Sequence, residues 1–200
     1  MSCICKQINS QSFKLSNFSH NTNKNVSLLL SIDTSTRGCS VALHQNGQLL
    51  TSYDLLAEKS SSGMLTTLIQ NAVEHAGFML SDIDAIAVAK GPGSYTGLRI
   101  AVSTAKGLCF ALDKPLLAVN TLEALTLQIS GFFDKDTLFC PMLDARRMEV
   151  YCAVFDHALN YIEPTQAKII DGESFAELLN RQKIVFFGDG AAKCQPVMEA

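Results

Sequence analysis

The stretch that most constrains this chain is KGPGSYTGLRIAVSTAKGL, residues 90–108, which follows directly on the apolar run IDAIAVA. A strand-length apolar run delivers the chain to three glycines, Gly91, Gly93 and Gly97, and these open a helical stripe of Leu98, Ala101, Val102, Ala105, Leu108, Cys109 and Leu112. Strand, glycine turn and helix make the unit from which α/β sheets are wound. Whether this turn cradles a phosphate decides what class of function the chain can have.

Neither familiar phosphate loop fits. A P-loop needs Lys and then Ser or Thr directly after its last glycine, to reach the outer phosphates and hold magnesium, and here Leu98 and Arg99 follow Gly97. A dinucleotide turn needs Gly-x-Gly-x-x-Gly, and Thr96 stands where the third glycine should be. What survives is general: glycines that permit close backbone approach, Ser94, and a helix N-terminus whose free N–H groups favour an anion. A tight strand-to-helix turn explains the same residues.

The second candidate is IDTSTRG, residues 32–38, an acidic residue at the end of a strand followed by hydroxyls in a turn. Phosphate-binding hairpins of actin-like ATPases place an acid, a glycine and a hydroxyl at such a turn. Asp33 and Thr34 are suitable, but Ser35 holds the glycine's place, and its side chain crowds an approaching phosphate oxygen. Nucleotide binding by Asp33, Thr34, Ser35, Gly91, Gly93, Ser94 and Gly97 is therefore expected to be weak or vestigial.

With 200 residues, 48% of them hydrophobic, the chain can bury one good core or two small ones. Its formal charge of −3 supplies no electrostatic footprint for nucleic acid. Seven cysteines without a CxxC pair read as buried free thiols of a reducing, cytoplasmic compartment rather than as disulfides or a zinc site. The four histidines, at 20, 44, 75 and 157, have no metal-ligand spacing, and His44 and His75 read as surface residues. No run approaches the ~20 apolar residues that cross a bilayer. Residues 1–26, rich in Ser and Asn and without an acid, read as a disordered extension or a misplaced start rather than a targeting segment.

Along the chain, 26–33, 39–45 and the residues after Asn46-Gly47 read as three antiparallel strands, the dipeptide being a strong hairpin signal. A helix over 63–76 follows, with Ser60, Ser61 and Ser62 as cap candidates. A strand over 83–90, the helix after the glycines, a strand over 116–119 and a helix with the capping pattern Thr121-Leu-Glu-Ala complete a first unit. A second begins in the same way: strands over 138–144 and 148–156, a weaker one near 166–170, a short helix over 174–179 and a strand from Ile184, the chain stopping at Ala200 inside the next helix. The expected division is an extension over 1–26, a first lobe over 27–120 and an incomplete second lobe over 121–200.

GPGSYTGLRIAVSTAKGL, SIDTS, NTLEAL, DARRMEVY and FFGDGA, in this order, resemble the TsaB (YeaZ-like) family of bacterial tRNA threonylcarbamoyladenosine biosynthesis. The resemblance implies an α/β, actin-like (ribonuclease H-like) fold in two lobes. It implies a non-catalytic scaffold beside the catalytic relative TsaD and the ATPase TsaE, self-associating as a homodimer when TsaD is absent. tRNA would be reached only through the complex, without a membrane. The chain itself would need no cofactor and no metal, ATP or ADP binding at most at an interface of the complex. Two departures stand out: residues 59–62 lack the His-Ser pair of many relatives, and relatives continue beyond the Gly188-Asp189-Gly190 turn. An active ATPase or sugar kinase using Asp33 is the rival. A glycoprotease-like metallopeptidase lacks its His-x-x-x-His.

Besides its main stripe the helix after the glycines carries Ile100, Phe110 and Ala111, with Arg99 and Lys106 as its charges, so it is expected to be buried nearly all round. In the family this helix and the one before it meet a partner. The expected association surface is Met64, Leu65, Leu68, Ile69, Leu98, Ala101, Ala105 and Leu112. Arg99 is a candidate polar contact. Arg146 and Arg147, with Asp144 and Glu149 close in sequence, read either as paired surface charges or as contacts to TsaE or to tRNA phosphate.

Overall fold

The computed structural model describes residues 27–56 and 61–198. The expected extension over 1–26 and the cap candidate Ser60 lie outside the described residues, as do the side chains of Ser61 and Ser62. The chain divides into two units between Val119 and Asn120.

The first unit is built from β1 (Leu28–Asp33), β2 (Cys39–Gln45), β3 (Gln48–Leu55), α1 (Ser61–His75), β4 (Ala85–Gly91), α2 (Tyr95–Leu112) and β5 (Leu116–Asn120). Its sheet has the order β3-β2-β1-β4-β5, β1 pairing antiparallel with β2 and parallel with β4. The β2–β3 hairpin turns through Asn46 and Gly47, whose φ angles of 51° and 82° are those of a mirror-image turn matching strand twist. Period-2 alternation sends Leu28, Leu30 and Ile32 to one core, where they meet Leu65 and Ile69 of α1 and Ala101 and Ala105 of α2. α1 lies on β2 and β3, α2 on β4 and β1, and the two helices touch.

The second unit comprises α3 (Thr121–Ser130), β6 (Leu138–Asp144), β7 (Glu149–Phe155), β8 (Tyr161–Ile169), α4 (Ala176–Leu179), β9 (Ile184–Phe187) and α5 (Asp189–Met198). Its sheet runs β8-β7-β6-β9, with β6 and β9 parallel and the other pairs antiparallel. Both units are mixed sheets with helices, the α/β class expected.

Three local expectations change. The cap of α3 is Asn120, whose Oδ1 accepts the N–H groups of Leu122 and Glu123 at 2.9 and 3.2 Å, and Thr121 is already helical. β8 begins at Tyr161, well before the expected 166. It is an edge strand exposed along most of its length, so no apolar alternation announces it, and its Pro164 lies in the stretch where the β7 register shifts. His44 is buried rather than superficial, because β2 lies inside the sheet between β1 and β3. The described cysteines are free thiols, Cys39, Cys140, Cys152 and Cys194 buried and Cys109 partly so.

Candidate functional site

The two sequence candidates in the first unit meet. The β1–β2 turn and the β4–α2 turn lie against each other main chain to main chain: the Ser94 N–H donates to the Ser35 carbonyl at 2.6 Å, and the Thr34 hydroxyl to the Gly97 carbonyl, also at 2.6 Å. This approach is what the glycines are for. A Cβ at Gly93 would collide with the Ser35 carbonyl, and one at Gly97 with the Thr34 carbonyl. Gly91, at φ 103°, holds a conformation that L side chains rarely adopt. Ser94 caps α2, its Oγ accepting the Gly97 N–H at 3.3 Å.

The acid beneath this junction is shut in. Asp33 is buried, and burial lifts its carboxyl above the ordinary carboxylate value, opposed by hydrogen bonding from Ser35. The Ser35 N–H donates to Asp33 Oδ1 at 2.8 Å. The Ser35 hydroxyl stands near enough to favour the charged form but has no hydrogen bond of ordinary geometry. The opposing turn packs directly on the backbone of Thr34 and Ser35, next to this carboxyl. Among the described residues, no group of three or more His, Cys, Asp or Glu could hold a metal ion.

The second unit repeats the arrangement. Asp144 ends β6 as Asp33 ends β1, a hairpin follows, and Gly188 and Gly190 flank the passage from β9 into α5. A Cβ at Gly188 would collide with the Met142 carbonyl, and one at Gly190 would lie 2.9 Å from Val150 Cγ1 and 3.0 Å from the Leu143 carbonyl carbon. Asp189 turns its Oδ1 to the Asp144 N–H at 3.0 Å. Lys193, one turn along α5, donates to Asp144 Oδ1 at 2.5 Å and to the Glu149 carbonyl at 2.7 Å. Sequence reasoning missed Lys193, although its spacing of four from Asp189 puts both on one helix face.

This lysine changes the reading of the arginines. Asp144 pairs with Lys193, and Arg146 contributes its backbone N–H to Asp144 Oδ1 at 2.9 Å rather than its side chain. Arg146 and Arg147 are exposed, both at positive φ, 75° and 49°, and neither guanidinium has a partner among the described residues. Of the two readings of these arginines, a pairing with Asp144 does not form, and the amine that holds this carboxylate is that of Lys193 from α5.

The expected association surface needs correction. Leu65, Leu68, Ile69, Ala101 and Ala105 are buried in the core of the first unit, because the periodic stripes of α1 and α2 face their own sheet. Met64 is exposed, and Leu98 and Leu112 are half-buried. α2 is not buried all round: Tyr95 is 75% and Phe110 91% exposed, on a side that also shows Arg99, Ser103 and Lys106. Arg99 and Lys106, seven residues apart, mark the exposed side in the sequence, and Ile100, Phe110 and Ala111 mask it there because they extend the apolar surface beyond the buried stripe.

A family described as "TsaD: tRNA N6-adenosine threonylcarbamoyltransferase" matches residues 55–193. The tRNA threonylcarbamoyladenosine biosynthesis protein TsaB of Bacillus subtilis is 35% identical over 135 residues, 68% of this chain and 58% of that protein. TsaB of Escherichia coli is 35% identical over 144 residues, 70% of this chain and 61% of that protein. The chain thus spans about three-fifths of the length of these relatives. The structure of YeaZ from Pseudomonas aeruginosa superposes with a TM-score of 0.67 and 28% identity, covering 81% of this chain and 84% of that one. A second Pseudomonas aeruginosa structure, described as similar to peptidase YeaZ, gives the same TM-score at 26% identity and covers 85% and 90%. On these matches the chain belongs to the tRNA N6-adenosine threonylcarbamoyltransferase family, in its TsaB (YeaZ) branch.

Proposed function

We propose that this chain is a non-catalytic subunit of the machinery that forms threonylcarbamoyladenosine in tRNA, supporting the catalytic subunit TsaD. The observation that supports the reading is the closed junction of Thr34 and Ser35 with Gly93 and Gly97 beside the buried Asp33. TsaD docks on the outward side of α1 and α2, a second copy takes its place when TsaD is absent, and TsaE joins the assembled pair. ATP or ADP binds at an interface of the complex rather than in this chain, and tRNA is reached through the complex, in the cytoplasm. The unpaired Arg146 and Arg147 offer a fork of donors to a carboxylate of TsaE or to a tRNA phosphate.

The test is reconstitution. The purified chain is expected to turn over no ATP, to bind adenine nucleotides no tighter than about millimolar, ~4 kcal/mol, and to be required, with TsaD and TsaE, for threonylcarbamoyladenosine to appear in tRNA. ATP turnover by the chain alone, abolished in Asp33→Ala, would overturn the reading, as would full tRNA modification without the chain.

A further inference from the structure

The core of the second unit holds three thiols that the role above leaves unused. Cys140 of β6, Cys152 of β7 and Cys194 of α5 belong to one buried cluster, none of them more than 1% exposed. β6 and β7 run antiparallel with Met142 opposite Cys152. Cys140, two residues from Met142, therefore stands on the same face of the sheet as Cys152 and diagonal to it. Their side chains meet, the Cys140 S–H donating to the Cys152 sulfur.

The two thiols are unlike. That hydrogen bond is the main reason that Cys152 lies below the ordinary thiol value and Cys140 well above it. Burial raises both, while at Cys152 the Lys168 ammonium favours the thiolate and Glu163 opposes it. Strand register places Lys168 for this. Gln166 pairs with Cys152 and Lys168 with Val150, so Lys168 shares their face, its Nζ 3.9 Å from the centroid of the Phe175 ring in the same cluster. An acidic thiol beside a protonated one has the parts of a nucleophile and a resolving group. Diagonal partners stand roughly 7 Å apart at Cα, the far end of what a disulfide spans, so a bond closed there strains the strand pairing and is easily reduced.

The pair is covered by α5, which lies on β6 and brings Cys194 into the cluster. Lys193, next to Cys194, ties this helix to Asp144 Oδ1 and to the Glu149 carbonyl. We propose that Cys140 and Cys152 are a reversible redox switch of the second unit, closed by peroxide to a disulfide across β6 and β7 when α5 lifts, and kept reduced while Lys193 holds α5 down. The Cys152 thiolate attacks one peroxide oxygen, the O–O bond breaks, and the departing hydroxide takes up the proton that Cys152 released. The Cys140 sulfur then displaces the hydroxyl of the sulfenic acid, its own proton leaving in a second water. Two thiols give up two electrons and one peroxide becomes two waters.

The full chain is treated with hydrogen peroxide under native conditions, alkylated and cut with trypsin. Arg146 and Arg147 lie between the two cysteines, so the disulfide joins residues 136–146 to residues 148–168 in one species, lighter than their sum by two hydrogens. Dithiothreitol is expected to return the separate peptides. The joined species should persist in Cys194→Ala and be missing from Cys152→Ala, each variant being checked for folding by circular dichroism. Lys193→Met is expected to speed its formation about five-fold, the effect of ~1 kcal/mol from an ion pair partly in water. The oxidised chain should melt below the reduced one and recover on reduction. Joining seen only after denaturation, or joining of Cys152 to Cys194 instead, would overturn the pair. An oxidised form that melts higher would make it a clamp rather than a switch, and a rate indifferent to Lys193→Met would remove the control by α5.

Discussion

The two strand-to-helix glycine turns of this molecule solve one geometric problem with different electrostatics. In each unit an aspartate ends the first strand of the sheet's central hairpin, and a glycine turn presses on the backbone next to it: Gly93 and Gly97 on Ser35 and Thr34, Gly188 and Gly190 on Met142 and Leu143. Asp33 is buried, its Oδ1 accepts the Ser35 N–H, and its carboxyl is raised. Asp144 is exposed and neutralised by Lys193. The first turn is closed by main-chain packing and the second is further held by an ion pair, so they should fail under different perturbations.

The largest expected effect is on the first turn. Gly97→Ala sets a methyl group against the Thr34 carbonyl with no flexible atom to give way, and is expected to destabilise the first unit by about 3 kcal/mol or more. Gly190→Ala should cost less, since its nearest neighbours, Val150 Cγ1 at 2.9 Å and the Leu143 carbonyl carbon at 3.0 Å, stand further off than the Thr34 carbonyl oxygen, 2.0 Å from a Cβ at Gly97. Denaturant unfolding of both variants tests the order, and equal losses would break the distinction. Thr34→Val comes next. It removes the buried hydroxyl bond to the Gly97 carbonyl and should cost about 1–2 kcal/mol, with α2 remaining helical by circular dichroism.

Asp33→Asn sharpens the comparison through pH. The folded carboxyl is raised by burial, so above about pH 4 there is a window in which the folded state keeps a proton that the unfolded chain has released. Stability therefore falls as pH rises through that window. Thermal unfolding should find Asp33→Asn as stable as the wild type at low pH and more stable at neutral pH, the gap opening through that window. A variant less stable at pH 7 than the wild type would mean that the charged carboxylate is an asset.

The smallest effect belongs to the second turn. Lys193→Met breaks an ion pair that stands partly in water and should cost no more than about 1 kcal/mol, a difference that 1 M salt reduces. A cost of several kcal/mol, unchanged by salt, would show that the second turn depends on its lysine as the first depends on its glycines.

Much of this organisation is legible in the chain. The helix after the glycines is expected from a stripe at 3.6-residue spacing and forms as α2, and the hairpin at Asn46-Gly47 needs only its dipeptide. The failures are of one kind. β8 is exposed on both faces, so it has no alternation to read. Ala101 and Ala105 belong to the expected association surface, but the stripe they stand on faces their own sheet. The site was legible as a set of residues and not as an arrangement: Asp33, Ser35 and the glycines were named, but the direction in which the glycines face was not.

The sequence by itself determined the α/β class, the order of the elements and the family, because periodicity, turn dipeptides and motif order are local properties that need no partner. Only the tertiary structure decided what the glycines serve, because close approach is a relation between two segments, and Gly97 looks the same in sequence whether a phosphate or the Thr34 carbonyl lies above it. It also decided the pairing of the charges. Lys193 is 49 residues from Asp144, and the parallel pairing of β6 with β9, with α5 beginning where β9 ends, carries its amine to that carboxylate, leaving the nearer arginines exposed.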